Sequence, residues 1–249
     1  MTRRAVITGA GQRVGRAIAV ELGRQGFELA VHYRSSEAGA QQTLDEAGGR
    51  GFLVQADLAT PEGCAGLCEA VSARWSSLQV LVNNASAFSP SNFEGTTAAD
   101  WDAMQAIHSR APFLLSRDLL PLLRAGPSAA HGAKPGEAGL VVHMVDIGAV
   151  RPVSGYAAYS ASKAALLMLV RAMAVELAPA VRTVGISPGQ VIWPDDYDDD
   201  LRARLARRIP MGRVGEPEDV ARLLRFIALE APYLNGCVVD VDGGLSCRY

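Results

Sequence analysis

The 249-residue sequence predicts an α/β fold: one doubly wound sheet of parallel strands with helices on both faces, forming a single domain over residues 1–249. Three observations predict it. Short β-branched runs alternate strictly with longer stretches of helical period, which implies crossover connections. The runs are nearly continuous in apolar residues, as strands covered on both faces must be. A glycine-rich turn, Thr8-Gly9-Ala10-Gly11-Gln12-Arg13-Val14-Gly15, joins the first run to the first helical stretch.

In chain order, strands are predicted at 5–8, 29–33, 52–55, 80–83, 140–145, 181–187 and 237–241. The stretches between them are predicted to be helices, for example 14–25, 61–74, 101–123, 156–177 and 217–229. Two segments depart from this rhythm. Residues 125–138 are rich in Gly, Pro and Ala without a period and read as a flexible surface loop, most simply a tolerated insertion. Residues 187–201 carry Pro188, Gly189 and the acidic positions Asp195, Asp196, Asp198, Asp199 and Asp200. They follow a strand's carboxyl end, where open α/β sheets bind ligands, and read as the substrate loop.

Composition narrows the function classes. Lys and Arg number 24 against 26 Asp and Glu, so neither a nucleic acid nor an anionic membrane is an expected partner. No uninterrupted apolar run has the length of a membrane span; residues 164–175 are short and broken by Arg171. The opening Met1-Thr2-Arg3-Arg4 leads directly into the first strand, without a secretory leader. Cys64, Cys68, Cys237 and Cys247 show no CxxC spacing, and Cys64 and Cys68 fall one helical turn apart. Reduced buried thiols in a cytoplasmic protein are expected. The four histidines form no i, i+4 pair, so no structural zinc site is expected.

The glycine turn sits where a nucleotide pyrophosphate would meet a helix N-terminus. Arg13 is its informative residue. A cation in a helix's first turn opposes the helix dipole by roughly 0.3–1 kcal/mol, so it is either a tolerated solvated arginine or one compensated by an anion. An NAD-specific site would place a carboxylate at the end of the second strand. This chain reads His32-Tyr33-Arg34-Ser35-Ser36 there, with no acid. Arg13 and Arg34 together suit a 2′-phosphate, which predicts NADPH.

Thirteen residues after Asp146 comes Tyr159-Ser160-Ala161-Ser162-Lys163. Tyr159 and Lys163 are i, i+4 neighbours on a helix. A nearby ammonium is expected to lower the tyrosine pKa and make it a proton donor at neutral pH. Tyr156 has no such lysine; Ser160 takes that place.

Thr8-Gly9 with Gly15, the Asn83-Asn84-Ala85 turn, Tyr159-x3-Lys163, Pro188-Gly189 and Asp242-Gly243-Gly244 together resemble the short-chain dehydrogenase/reductase family over essentially the whole chain. The resemblance implies a Rossmann-type sheet of about seven strands and a nicotinamide cofactor held by Gly9, Arg13, Val14, Tyr33, Arg34, Ser35, Asp57, Leu58, Asn84, Ala85, Ser86, Tyr159, Lys163, Pro188 and Gly189. Asp57 would lie by the adenine and Lys163 would also bind the nicotinamide ribose. Two positions depart from the family pattern: Asp146 stands where a catalytic serine is usual, and Arg13 where the middle glycine is common. Both departures resemble the pteridine reductases, including the dihydromonapterin reductases. By that likeness Asp146, Tyr159 and Lys163 are catalytic, while Ser86, Phe88, Asp146 and Tyr159 contact the substrate.

The chemistry gives the aspartate a reason. A serine hydroxyl donates to a carbonyl oxygen, whereas a carboxylate accepts from the N–H groups of a pterin and can relay a proton with Tyr159. Asp146 as a cap at the strand end, and Phe88 as ordinary core, are the plainer readings. His108 stands where the family's structural asparagine is usual, which puts the proton supply route in question. The expected function is NADPH-dependent reduction of a pterin-type substrate (dihydropteridine, dihydromonapterin or dihydrofolate). The alternative is carbonyl reduction, as of a 3-oxoacyl thioester; a non-catalytic nucleotide-binding module is disfavoured because Tyr159 and Lys163 are both present. Family analogy further suggests a homotetramer, with Arg248 of the tail reaching a neighbouring active site.

Overall fold

The computed structural model describes residues 2–126, 139–193 and 197–248. Its strands are β1 (Arg4–Ile7), β2 (Glu28–Tyr33), β3 (Gly51–Gln55), β4 (Val80–Asn83), β5 (Gly139–Met144), β6 (Val181–Pro188) and β7 (Val238–Val241). They form one sheet in the order β3-β2-β1-β4-β5-β6-β7, every pair parallel. The order reverses at β1, which lies between β2 and β4. That is the switch point at which a doubly wound sheet opens a crevice beyond its carboxyl ends.

Side-chain alternation builds a core on each face of the sheet. Ile7, Leu29 and Val31 pack on one side with Ile18, Leu22, Leu224 and Ile227 of α1 (Arg13–Arg24) and α9 (Pro217–Leu229). Val6, Ala30, Leu81 and Val141 pack on the other with Leu67 of α3 (Pro61–Ser72) and Leu115 of α5 (Ala111–Asp118). Adjacent residues of one strand thus feed opposite cores, as a period of two requires. Cys64 and Cys68 are buried and unbridged in α3, and burial pushes their thiols up to about 11 and about 12, so they stay protonated and inert.

The predicted strands all form, shifted by a residue or two. The helices differ more. The stretch predicted as one helix over 101–123 begins earlier, at α4 (Ala98–Gln105), whose N-terminus is closed by a reciprocal Thr97–Asp100 capping box. It then widens into a π-turn at Ala106–Arg110, continues as α5 and resumes as α6 (Leu120–Arg124). Pro112 explains the widening, because it has no N–H to return to the carbonyl of His108. α2 (Glu37–Glu46) fills the stretch between β2 and β3, and α8 (Asp199–Ala206) occupies the end of the expected substrate loop. Within that loop residues 194–196, and with them Asp195 and Asp196, lie outside the described residues, as do 127–138 of the expected flexible loop.

α7 (Ala157–Glu176) runs through the expected 156–177. Contrary to the reading of residues 164–175 alone, it is long and apolar enough by length and composition to cross a membrane, and half of it is buried inside the fold. Its buried side chains include Tyr159 and Lys163.

Arg182 of β6 is almost fully buried. Its guanidinium donates to the carbonyls of Ile227, Ala231 and Leu234, closing the C-terminal end of α9 and the turn beyond it. Charge-assisted bonds to backbone carbonyls, here one in the last turn of the helix and two beyond it, are the strong kind. Arg182→Ala is therefore expected to lower unfolding free energy by roughly 2–4 kcal/mol, read as a shifted urea midpoint with an unchanged slope.

Candidate active site

The carboxyl ends of β1 to β4 enclose a groove of about 620 Å³. Its floor is the turn after β1. Gly9 sits at φ +64°, and Gly15 packs so closely that a Cβ there would lie 2.3 Å from the Gly9 carbonyl and 2.5 Å from Asn84 Nδ2. Only glycine fits, which is why the spacing from Gly9 to Gly15 carries information. The Thr8 hydroxyl accepts from the Asn84 and Ala85 amides at 2.8 and 2.9 Å and donates to the Val82 carbonyl at 3.2 Å. The Asn84 side-chain amide donates in return to the Thr8 and Gly9 carbonyls, at 2.8 and 3.2 Å. The two turns are thereby locked together.

Most of the expected cofactor residues line this groove. Gly9, Arg13 and Val14 come from the first turn, Tyr33, Arg34 and Ser35 from the end of β2, and Asp57 and Leu58 from beyond β3. Asn84, Ala85, Ser86 and Phe88 complete it from beyond β4. Arg13 has φ +52°, the one positive value at a non-glycine position among the described residues. Such a conformation costs about 1–2 kcal/mol and persists where the surroundings hold it. No carboxylate projects from the end of β2 into the groove, although Glu37 in the first turn of α2 hydrogen-bonds Tyr33 behind it. Asp146, Tyr159, Lys163, Pro188 and Gly189 do not line that groove; they belong to the ends of β5 and β6 and to α7.

There, Tyr159 Oη donates to Asp146 Oδ2 at 2.9 Å. Asp146 Oδ1 accepts from the Gly148 amide at 2.6 Å, so one carboxylate both caps the turn Ile147–Ala149 and faces the phenol. Lys163 Nζ donates to the Met144 carbonyl at 2.8 Å. The expectation that Lys163 lowers the Tyr159 pKa is not met. Burial, followed by the Asp146 charge and hydrogen bond, raises it far above the ordinary tyrosine range, so Tyr159 is held as a neutral phenol. Burial instead lowers Lys163 to about 8, against an opposing pull from Asp146.

Phe88 is 52% exposed, which disposes of the core reading. Its ring stacks on Tyr156 at 4.3 Å and meets Tyr159 edge-on at 4.9 Å. Tyr156, dismissed from the sequence for lacking a lysine partner, is thus part of the aromatic wall around Tyr159. His108 is buried, and its Nε2 accepts from the Ala87 amide at 3.2 Å and lies 2.8 Å from Ser86 Oγ. An amide can only donate, so the ring proton is on Nδ1, which reaches Ser162 Oγ at 2.9 Å. Ser162 in turn donates to the Tyr159 carbonyl at 2.7 Å. Burial lowers His108 to about 2, with Lys163 adding to the effect, so it is a fixed neutral strut from the Ser86 turn to the Tyr159 helix. Of the tail, Arg248 donates to the Arg207 carbonyl of its own chain.

Lys163 carries a lower pKa folded than unfolded, so between pH 8 and 10.5 the unfolded chain binds the extra proton and stability gains with rising pH. Relative to Lys163→Met, the wild type is expected to gain about 2 kcal/mol of unfolding free energy between pH 7.5 and 10. Urea titrations at the two pH values read it, and a constant difference between the proteins would refute the assignment.

Residues 9–246 match the family model described as Enoyl-(Acyl carrier protein) reductase. 3beta-hydroxysteroid dehydrogenase 1 of Eggerthella lenta is 30% identical, over 97% of this chain and 92% of its own. The 3-oxoacyl-[acyl-carrier-protein] reductase FabG of Staphylococcus aureus is 28% identical, over 98% of both. The crystal structure of acetoin dehydrogenase from Enterobacter cloacae superposes with a TM-score of 0.88 at 28% identity, covering 100% of this chain and 97% of that one. These relatives carry the names of carbonyl and hydroxyl chemistry, and none of the three supports the pteridine reductase branch expected from Asp146 and Arg13. What the match over nearly the whole chain does establish is that this protein belongs to the short-chain dehydrogenase/reductase family of nicotinamide-dependent oxidoreductases.

Proposed function

We propose that the chain is an NADPH-dependent reductase acting on the C=N bond of a pterin-type substrate: a dihydropteridine, dihydromonapterin or dihydrofolate. The observation that carries this reading is the 2.9 Å hydrogen bond from Tyr159 to Asp146, which sets a carboxylate acceptor beside the proton donor. A pterin offers ring and amino N–H groups to such an acceptor, and its reduction ends with protonation of a nitrogen.

In this reading the glycine turn holds the pyrophosphate side of the cofactor, and Arg13 and Arg34, with Tyr33 and Ser35, hold a 2′-phosphate. Asp57 and Leu58 flank the adenine; Asn84, Ala85, Pro188 and Gly189 line the nicotinamide side, and Lys163 and Tyr159 its ribose. NADPH, when bound, supplies the hydride. Tyr159 gives its phenolic proton to the nitrogen beside the reduced carbon. Asp146 holds the substrate N–H and keeps the phenol aimed, and Lys163 stabilises the phenolate left behind. Ser86 and Phe88 bound the substrate, with Phe88 and Tyr156 forming an aromatic wall suited to a flat ring. Exposed Phe113 on α5 and Met168 and Val175 on α7 support assembly of copies, in our reading a homotetramer.

A second reading is favoured by the relatives' names: reduction of a carbonyl, as in a 3-oxoacyl thioester. The three relatives are named for three different substrates at nearly equal identity, so likeness at this level supports the reaction class more than a substrate. A panel of dihydropterins and acetoacetyl thioesters with NADPH separates the readings. We expect turnover of pterins only, and Asp146→Ser to cut it at least a hundredfold while NADPH affinity stays within about threefold. Thioester turnover by the wild type, or pterin turnover surviving in Asp146→Ser, defeats the pterin assignment.

Cofactor choice is tested separately. Arg13→Gly removes a cation and a strained φ, so thermal stability is expected to hold or rise. NADPH affinity should fall roughly tenfold and NADH affinity should not change. Equal losses for both cofactors in fluorescence titrations would show that Arg13 does not read the 2′-phosphate.

A further inference from the structure

We propose that His32 is a positioning residue for the cofactor, a buried strut that holds the pyrophosphate turn and the adenine turn in a fixed relation. Its main chain and side chain both act on the first turn. The His32 carbonyl accepts from the Ala10 amide at 2.9 Å, and ring Nδ1 accepts from the Gly9 amide at 2.9 Å. The other edge of the ring, Nε2, lies 3.1 Å from the carbonyl of Ala56, immediately before Asp57. Both turns line the same groove.

The pairing leaves one arrangement for the ring proton. A backbone amide only donates and a carbonyl only accepts, so Nδ1 bears the lone pair and Nε2 the hydrogen. A neutral imidazole presents one acceptor and one donor across a rigid ring, the complement of this gap. Burial favours that form, holding His32 down to about 4. At 2% exposure the ring has no water to replace either partner. A leucine there would fill the space while leaving the half-buried Gly9 amide and Ala56 carbonyl without the ring that joins them.

The consequence falls on binding. Gly9 is at φ +64°, one of the several shapes glycine can adopt, and the bond from its amide to His32 Nδ1 selects it. With Gly9 and Ala10 turned toward β2, the amides of Val14 and Gly15 precede the helical ladder, whose first bond runs from the Arg16 amide to the Gln12 carbonyl. These are the amides available to an anion at the start of α1. The inference rests on the family's nicotinamide cofactor and is independent of which substrate is reduced.

The test needs no substrate. His32→Leu and His32→Asn are titrated with NADPH by fluorescence, with circular dichroism and thermal melts as checks on folding. His32→Leu is expected to raise the NADPH Kd roughly 10-fold, the effect of losing the bond that holds the Gly9 amide. His32→Asn, which again offers one acceptor and one donor, is expected to recover most of that loss. In turnover the loss should appear in KM for NADPH far more than in kcat. A folded His32→Leu protein that binds NADPH with wild-type affinity overturns the proposal, as does His32→Asn binding no better than His32→Leu. The wild type supplies an independent reading should His32→Leu fail to fold. Its His32 ring, by nitrogen NMR at pH 7 without cofactor, is expected to be neutral with the proton on Nε2, and the Gly9 amide slow to exchange. A cationic ring, the other tautomer, or a freely exchanging Gly9 amide overturns it.

Discussion

The end of β5 is the constraint on which the site depends. Met144 and Asp146 are two residues apart on one strand end, and Tyr159 and Lys163 are one helical turn apart on α7. The strand end receives both side chains, Lys163 on the Met144 carbonyl and Tyr159 on the Asp146 carboxylate. The second oxygen of Asp146 is tied to the Gly148 amide, so the carboxylate cannot turn away from the phenol without breaking the cap beneath it. The geometry of the proton donor is thus set by backbone on both sides.

Burial then decides charge. In water an ammonium one turn away would favour a tyrosinate; inside this fold desolvation and the Asp146 charge outweigh it, and the phenol keeps its proton. The same desolvation brings Lys163 close to neutrality at mildly alkaline pH and keeps His32, His108 and His143 uncharged. Three buried imidazoles would be costly as cations; as neutral rings His32 and His108 serve as rigid two-ended connectors. His108 joins the Ser86 turn to α7, and its place in the π-turn before Pro112 aims it inward.

The doubly wound sheet was legible because it is written in local patterns: seven branched runs, the five inner ones buried over most of their length, separated by helical periods. The nucleotide groove was legible for the same reason, since the Gly9-to-Gly15 spacing answers a steric demand within one turn. What escaped was set by distant partners. His32 looked like one residue of a strand end, although a histidine inside an otherwise apolar buried strand was the available signal. Tyr156 was set aside on its own helix spacing, when its partner Phe88 lies 68 residues earlier in the chain. The direction of the Tyr159 shift was misjudged because spacing shows the neighbouring cation and not the depth of burial.

The two substrate readings come down to what stands opposite Asp146. Reduction of a ketone develops negative charge on oxygen within reach of Tyr159, and so close to this carboxylate. Two unit charges 4 Å apart repel by about 4 kcal/mol at an effective dielectric of 20. That is close to a thousandfold in rate, as large as the benefit of a good proton donor. A substrate presenting N–H at that point turns the same charge from an obstacle into a hold. This is why we propose the pterin reading even though relatives with more than a quarter of the sequence in common are named for carbonyl and hydroxyl chemistry.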